Sequence, residues 1–358
     1  MADTPATFLE GFHNLDEIKS LKYKRLGETD LFVPPLTFGG AHLSHGVMFD
    51  NQTGQPITGH ENAVNTIREA IKRGINYFDV APLYGAGKCE IVLGVALQPI
   101  PRSAYYIATK VGRNHNCQFD YSASSVLKTV EESLRRLRLS YIDVVHVHDI
   151  EFADFNTLLT ETLPVLDKLR NDGIVKYIAI NCYPIELLKE TIEKSKVKID
   201  IIQSYCRCTL FDNSLVDHIP YFKERKIGII NAASYGMGLL TKGKLPDWHP
   251  AKLETIEACA EATKICNDRG VDISRLAIDH AFRTEGIDTT LVGLKDVELL
   301  NENLHILRNG LDEKELEAQK EVSKVFEKLT VRHWEGIELE KYRRNKTEFE
   351  NYLKGLAQ

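Results

Sequence analysis

No stretch of the 358 residues approaches the roughly 18 uninterrupted apolar positions that a membrane-spanning helix needs. The N-terminal MADTPATFLEGFHNL has neither a basic start nor a continuous apolar segment, so a soluble, cytoplasmic protein is expected. Positive charge is not in excess either. A formal net charge of −6 and a pI near 6.1 leave no basic stripe, which argues against nucleic acid or anionic membranes as partners and for a small molecule. The seven cysteines are odd in number and lack framework spacing, so free thiols in a reducing compartment are expected, not a disulfide scaffold. Cys206 and Cys208 form a C-x-C without a second Cys or His pair at zinc-like spacing, and no metal is expected. No linker rich in Pro, Gly or Ser divides the chain. One large domain, acting as a monomer, is the expectation.

What the chain does have is alternation. KYKRLGETDLFVPPLTFGG predicts a hairpin turning at Gly27 to Asp30 and running into a first strand at residues 36–39. Helical periodicity then recurs at 61–73, 124–137, 155–171, 185–195 and 215–225, with a shorter helix near 90–97. β-rich runs follow these helices: NYFDVA, YYIATK, YIDVVHVHD, VKYIAIN, DIIQSYC and IGIINAAS, with DTTLVGL as the last. Gly74, Gly173 and Gly286 stand where helices hand over to strands, as left-handed caps do. Eight strands joined by helical crossovers must be covered on both faces or closed. An open doubly wound sheet would want G-x-G-x-x-G after its first strand, and FGGAHLSHG lacks it. The predicted fold class is therefore α/β: a single (β/α)8 TIM barrel with an N-terminal hairpin and extra C-terminal helices, DVELLNENLHIL and DEKELEAQKEVSKVFEKL. The expected divisions are an extension at 1–21, the barrel at 22–329 and a tail at 330–358 near the barrel mouth.

A parallel barrel gathers the carboxyl ends of its strands on one face, where distant residues meet. Asp79, Tyr84, Lys110 and His148 each fall at or just past a strand end. A free tyrosine, with a pKa of ~10, is a poor proton carrier near neutrality. A lysine ammonium beside it favours the phenolate, and a carboxylate keeps a desolvated lysine charged. Lys110 and Asp79 fit those parts, and His148 would hold the substrate oxygen. No side chain supplies a hydride, so a nicotinamide cofactor is expected to bring it. Singly, each residue reads equally well as a cap, a core aromatic or a surface charge; jointly they match one mechanism. His146 and His148 could open a metal site, but the later strands end in Asn181, Cys206 and Ala233 and complete none. His146 is expected to be a hydrogen-bonded interior residue.

INYFDVAPLYG, IATKVG and YIDVVHVHD resemble the strand-two, strand-three and strand-four motifs of the aldo-keto reductase superfamily. The resemblance runs from about Tyr23 to about Leu304. SYC with the downstream FDNSL, MGLLTKGKLPDWHPA and LVGLKDVELLNENL narrow it to sugar 1-dehydrogenases, the plant L-galactose and fungal D-arabinose dehydrogenases. It implies that Asp79, Tyr84, Lys110 and His148 form a catalytic tetrad with tyrosine as general acid or base. It further implies NAD or NADP as cofactor, with Asn181 on the carboxamide, Gly236 and Gly238 beside the pyrophosphate, Lys295 near the adenosine phosphate and Asn303 on the adenine.

This chain departs from the family pattern after strand five, where the family commonly has Ser-Asn on the carboxamide and this chain reads Asn181-Cys182, and at Ala232, where many members place an aromatic ring. Ile202 stands at the usual glutamine position, so Gln203, one step along a strand, is left unassigned. Leu299 replaces an arginine common in phosphate-preferring members, and a lone lysine lacks the bidentate fork, so NAD or dual use is expected over strict NADPH. The implied activity is oxidation of an aldose at C1. The alternatives are NADPH-dependent reduction of aldehydes or ketones, and a non-catalytic cofactor-binding subunit.

Overall fold

In a computed structural model that describes residues 4–116, 118–349 and 351, the predicted strands close into a barrel. In chain order the strands are β1 (Lys24–Arg25), β2 (Phe32–Val33), β3 (Leu36–Gly39), β4 (Met48–Phe49), β5 (Pro56–Thr58), β6 (Tyr77–Asp79), β7 (Tyr106–Val111), β8 (Ile142–Val147), β9 (Val175–Cys182), β10 (Ile201–Tyr205), β11 (Gly228–Ala232) and β12 (Thr289–Gly293). β3 pairs with β6, each later strand with the next, and β12 with β3 again, all parallel. All eight barrel strands lie where the β-rich runs predict. β4 and β5 form an antiparallel ribbon in the loop after β3 that sequence periodicity does not reveal, because each strand is only two or three residues long.

The β1–β2 hairpin seals the amino-terminal end of the barrel. Its Leu26, Leu31 and Val33 are fully buried against an inward-facing layer made by Tyr77, Ala108, Val144, Ala179, Ile201 and Ile230. Side chains along a strand alternate between faces, so a step of two residues from that apolar floor reaches the next inward layer. On β6 to β10 that step gives Asp79, Lys110, His146, Asn181 and Gln203, a polar ring standing on an apolar base. The intervening residues face outward: Ile178, Ile180, Ile202 and Ile229 pack under the surrounding helices in one apolar cluster.

Most helices match their periodicity, and Gly74, Gly173 and Gly286 carry the positive φ expected of caps (96°, 76° and 86°). Two corrections share one cause. The segment read as a single helix over 155–171 is a short helix at Phe155–Thr157, a π turn at Leu158–Thr162 and a helix at Leu163–Asn171, with Pro164 in its first turn. The segment at 215–225 likewise splits into a 3-10 turn at Val216–His218 and a helix at Ile219–Glu224 that has Pro220 in its first turn. Proline has no N–H to donate and clashes with the preceding turn, so an α-helix restarts at it instead of running through.

Beyond Thr330 the chain turns across the carboxyl-end loops. The Trp334 ring stacks on Tyr183, which follows β9, with centroids 5.0 Å apart, and the Trp334 backbone N–H donates to the Tyr183 hydroxyl at 3.2 Å. Glu335 pairs with Arg207 after β10 at 3.2 Å. Tyr342, on the helix Ile337–Arg344, packs edge-on against Phe119 after β7 and Phe152 after β8. Among the described residues, no helix is long and apolar enough to cross a membrane.

The floor imposes one stereochemical demand. Gly27 turns the hairpin with φ +60°, and a Cβ there would lie 2.3 Å from the Gly228 backbone nitrogen. Gly27→Ala is expected to cost about 1–3 kcal/mol of unfolding free energy. A lowered urea midpoint at unchanged slope is the predicted signature; a wild-type midpoint would show that the hairpin is not held against β11.

Candidate active site

β6 ends on Asp79 and β7 carries Lys110, adjacent strands that bring the two side chains into contact inside the barrel. Both are essentially without solvent exposure. The Lys110 ammonium also donates to the Val80 carbonyl at 2.9 Å. Burial by itself would depress the ammonium, but Asp79 and Tyr84 outweigh it and hold its pKa above the ordinary value, so the lysine keeps its charge. Asp79 is further flanked by His146, whose Nε2 lies 3.7 Å from the carboxylate and 3.3 Å from the Tyr77 hydroxyl. His146 is therefore the hydrogen-bonded interior residue that its position suggested.

Tyr84 begins the tight turn Tyr84–Gly87 after β6 and leans over the pair, with the Lys110 nitrogen 4.9 Å from its ring centre. Burial lifts the tyrosine hydroxyl above its ordinary pKa of 10.0, Lys110 pulls it back, and Asp79 and Asp149 push it up again. His148, just past β8, meets the Tyr84 ring edge-on with centroids 6.1 Å apart. Burial drives the His148 imidazole down to about 3 against the pull of Asp149, so the ring is neutral and offers a hydrogen bond without a charge. Asp79, Tyr84, Lys110 and His148 thus stand together: a half-buried phenol between a fixed ammonium and a neutral imidazole. Such a group can exchange a proton with an oxygen that His148 holds in place.

Three neighbours, Asp149, Arg113 and Tyr121, were not singled out from sequence. Asp149 takes a left-handed conformation (φ 50°) beside His148 and accepts from Arg113 at 2.7 Å. Its backbone N–H donates to the Asn181 side-chain oxygen at 2.9 Å. The Tyr121 hydroxyl reaches the backbone oxygens of both His148 and Asp149, at 2.8 and 2.7 Å. The loop that carries His148 is therefore held by three other elements. Only the adjacency of Asp149 to His148 in VHD could have signalled this.

The residues proposed for a cofactor occupy a different stretch of the rim. Asn181 lies in the polar ring, and its oxygen, taken by Asp149, leaves the NH2 to donate. Gln203 pairs in register with Asn181 across β9 and β10, is buried, and its Oε1 has no hydrogen-bond partner. The one-step argument against Gln203 fails because the alternation places Gln203 inward and Ile202 outward. Two primary amides side by side, one with an orphaned acceptor, suit the carboxamide of a nicotinamide. Cys182 is turned into the outer apolar cluster, and its thiol reaches the Pro184 carbonyl.

In the loop after β11, Ala233, Gly236, Met237 and Gly238 all have positive φ. A Cβ on Gly236 would meet the Phe211 ring at 2.7 Å, so this glycine answers to internal packing. One on Gly238 would have nothing nearer than Leu245 at 3.8 Å, and its open side leaves the backbone accessible to a ligand. Asn303 is buried and bonds the Tyr235 hydroxyl and the Leu299 carbonyl, which ties this loop to the helix Val297–Asn309. Lys295 is exposed between β12 and that helix, 3.9 Å from Asp296.

The paired charges set a test of stability. Asp79→Asn leaves a buried ammonium without its carboxylate and is expected to lower the unfolding free energy by about 3–5 kcal/mol in urea titration. A loss below ~1 kcal/mol would mean that water or the Val80 carbonyl already compensates Lys110.

Comparison with known proteins gives the family and the fold. The sequence profile of the Aldo/keto reductase family matches residues 35–324. The chain is 35% identical over 317 residues to an L-galactose dehydrogenase of Arabidopsis thaliana, covering 87% of this chain and 97% of that protein. It is 32% identical over 298 residues to a D-arabinose 1-dehydrogenase of Saccharomyces cerevisiae, covering 78% and 85%. Among solved structures, an aldo-keto reductase from Bacillus halodurans in its holo form superposes with a TM-score of 0.68 at 23% identity, covering 85% of this chain and 97% of that one.

Proposed function

Because the chain belongs to the aldo/keto reductase family, whose members use NAD(P)H, we propose that it is an NAD(P)-dependent aldose 1-dehydrogenase with Tyr84 as its proton-transferring residue. The observation that carries this reading is the buried Lys110–Asp79 pair beneath the Tyr84 ring. A nicotinamide cofactor, when bound, supplies the hydride acceptor or donor. Everything else falls to the chain. His148, neutral, receives the C1 hydroxyl of a cyclic aldose and sets its orientation. Tyr84 takes the proton from that hydroxyl in the oxidative direction and returns it in the reductive one. Lys110 favours the phenolate, and Asp79 keeps Lys110 charged. The two relatives named for 1-dehydrogenation and for L-galactose support an aldose over a simple aldehyde.

The preference among nicotinamide cofactors follows from the loop after β12. Helix N-termini are ready sites for phosphate, but here Asp296 caps the helix Val297–Asn309 and accepts from the Leu299 N–H at 2.8 Å. The anion seat is filled by the chain's own carboxylate, which also draws on Lys295. That arrangement favours NAD, which carries no 2′-phosphate.

Two tests follow. Oxidation of L-galactose or D-arabinose by NAD should be detectable in absorbance at the reduced-nicotinamide band, and Tyr84→Phe should lower kcat by about 100- to 10,000-fold. Since the phenolate is the active form in oxidation and burial holds its pKa above the ordinary value, kcat/KM should climb about tenfold per pH unit from neutrality upward. Lys110→Met removes the cation and should push that climb to higher pH. A flat wild-type profile, or an unmoved one in Lys110→Met, would rule out this role for Tyr84. For the cofactor, Asp296→Ser keeps a cap but removes the charge, so the NADP-to-NAD ratio of kcat/KM should rise roughly fivefold. An unchanged ratio would place discrimination elsewhere.

A further inference from the structure

Tyr84 is aimed from outside the barrel. It opens the turn Tyr84–Gly87, in which Gly85, Ala86 and Gly87 take positive φ in succession (56°, 54° and 85°), and the turn leads straight into the helix Lys88–Leu97. The rotation of that helix about its axis therefore decides where the tyrosine points. Hydrophobic patterning does not set it, because no residue from Ile91 to Leu97 is polar and a helix that is apolar all round has no single face to turn inward.

The polar exception is Glu90, in the first turn of the helix and fully buried. Its two oxygens have separate partners: one accepts the Thr109 hydroxyl at 2.6 Å, the other the Arg136 Nε at 2.6 Å. Thr109 precedes Lys110 on β7 and, by alternation, faces outward where Lys110 faces in. Arg136, on the helix Ala123–Leu137, lies directly against the turn, since a Cβ on Gly87 would meet its Cδ at 3.1 Å and its Nε at 3.2 Å. Its other nitrogens reach Glu132 at 3.4 Å and the Ser133 hydroxyl at 3.5 Å. The two helices also touch backbone to backbone, because a Cβ on Gly94 would lie 2.5 Å from the Arg136 carbonyl oxygen. One buried carboxylate thus ties the turn of Tyr84 to the strand of Lys110.

We propose that Glu90 is a positioning residue for proton transfer: held between Thr109 and Arg136, it fixes the rotation of the helix Lys88–Leu97 and with it the placement of the Tyr84 hydroxyl relative to the Lys110 ammonium. The proposal rests on the Tyr84 reading above and deepens it by naming what sets that geometry. Apolar contacts are non-directional, whereas short hydrogen bonds to a buried carboxylate fix both distance and angle. Glu90 meets the outward side chain of β7, behind the barrel wall, so it acts on the reaction only through the tyrosine and the lysine.

The test compares the full-length wild type, Glu90→Gln, Thr109→Val and Thr109→Ser in aldose oxidation by NAD across pH, with the NAD dissociation constant read separately from quenching of tryptophan fluorescence. In Glu90→Gln and Thr109→Val, kcat near neutrality should fall about tenfold, and the climb of kcat/KM should move to higher pH because the phenolate has lost part of its cation. The NAD dissociation constant should stay within about twofold. Thr109→Ser, which restores the hydroxyl, should recover most of the rate. Thr109→Val exchanges only a hydroxyl for a methyl and carries the test should Glu90→Gln not fold. A lowered unfolding midpoint with the wild-type kcat and pH profile would reduce the network to scaffold and overturn the proposal, as would a loss of NAD affinity equal to the loss of rate. Tyr84→Phe at the wild-type rate overturns the Tyr84 reading and this proposal with it. A wild type that reduces propanal with NADH but oxidises no aldose removes the aldose reading alone; the same variants are then compared on propanal, where a tenfold loss of kcat supports the proposal and an unchanged kcat overturns it.

Discussion

The contact between Lys110 and Asp79 is the constraint to which the rest of the barrel answers. Two full charges with almost no solvent exposure are expensive to bury, and an ion pair recovers that cost only with close geometry and further hydrogen bonds. Adjacent parallel strands supply the geometry, because Asp79 pairs in register with Ala108, two residues before Lys110. The Val80 carbonyl supplies a further bond. Water must also be kept out from below, and this is what the hairpin floor does: Leu26, Leu31 and Val33 close the end of the barrel that has no chemistry to perform. An apolar base under a polar ring lets the ring's electrostatics act at low effective dielectric, where a lysine five ångströms from a tyrosine ring has real leverage.

How much of this is legible in the sequence depends on the length scale of the signal. Eight strands and their helices can be read because period-two and period-3.6 patterns repeat over many residues, and Asp79, Tyr84, Lys110 and His148 can be read because each lies in the last residues of such a strand or in the turn after it. The two broken helices are harder, since the apolar periodicity carries straight across Pro164 and Pro220 while the hydrogen bonding does not. The β4–β5 ribbon and the helix Ile337–Arg344 are too short or too charged to show a period. Gln203 is a different kind of miss. Its facing follows from counting two residues up from Ile201, but the count needs to know which residues form the floor, and that is a property of the closed barrel.

Asp149 and Arg113 lie beyond local pattern altogether. Arg113 and Asp149 are 36 residues apart and meet at 2.7 Å only because β7 and β8 are neighbours. The tail reaches the mouth through contacts that no periodicity encodes: a tryptophan stacked on Tyr183, a glutamate on Arg207 and a tyrosine set edge-on against two stacked phenylalanines. Aromatic stacking of this kind orients a segment strongly once it arrives, but the sequence that produces it is a scatter of single residues.

Taken together, the charges at the carboxyl end sort into two systems with different jobs. In one, Lys110 and Asp79 are locked to each other and bias the Tyr84 hydroxyl, while burial strips His148 of its proton and leaves it a neutral donor or acceptor. In the other, Arg113 fixes Asp149, and Asp149 fixes the backbone that carries His148 through Asn181 and Tyr121. Asn181 extends the second system to the neighbouring amide, since its oxygen holds Asp149 while its NH2 is left beside Gln203. A group that bonded that NH2 would therefore be coupled through one rigid side chain to the placement of the imidazole, with no backbone movement needed. The segment carrying His148, the Asp149 carboxylate and the Asn181 amide are in this sense one hydrogen-bonded unit, and the barrel's closure is what keeps its parts in register.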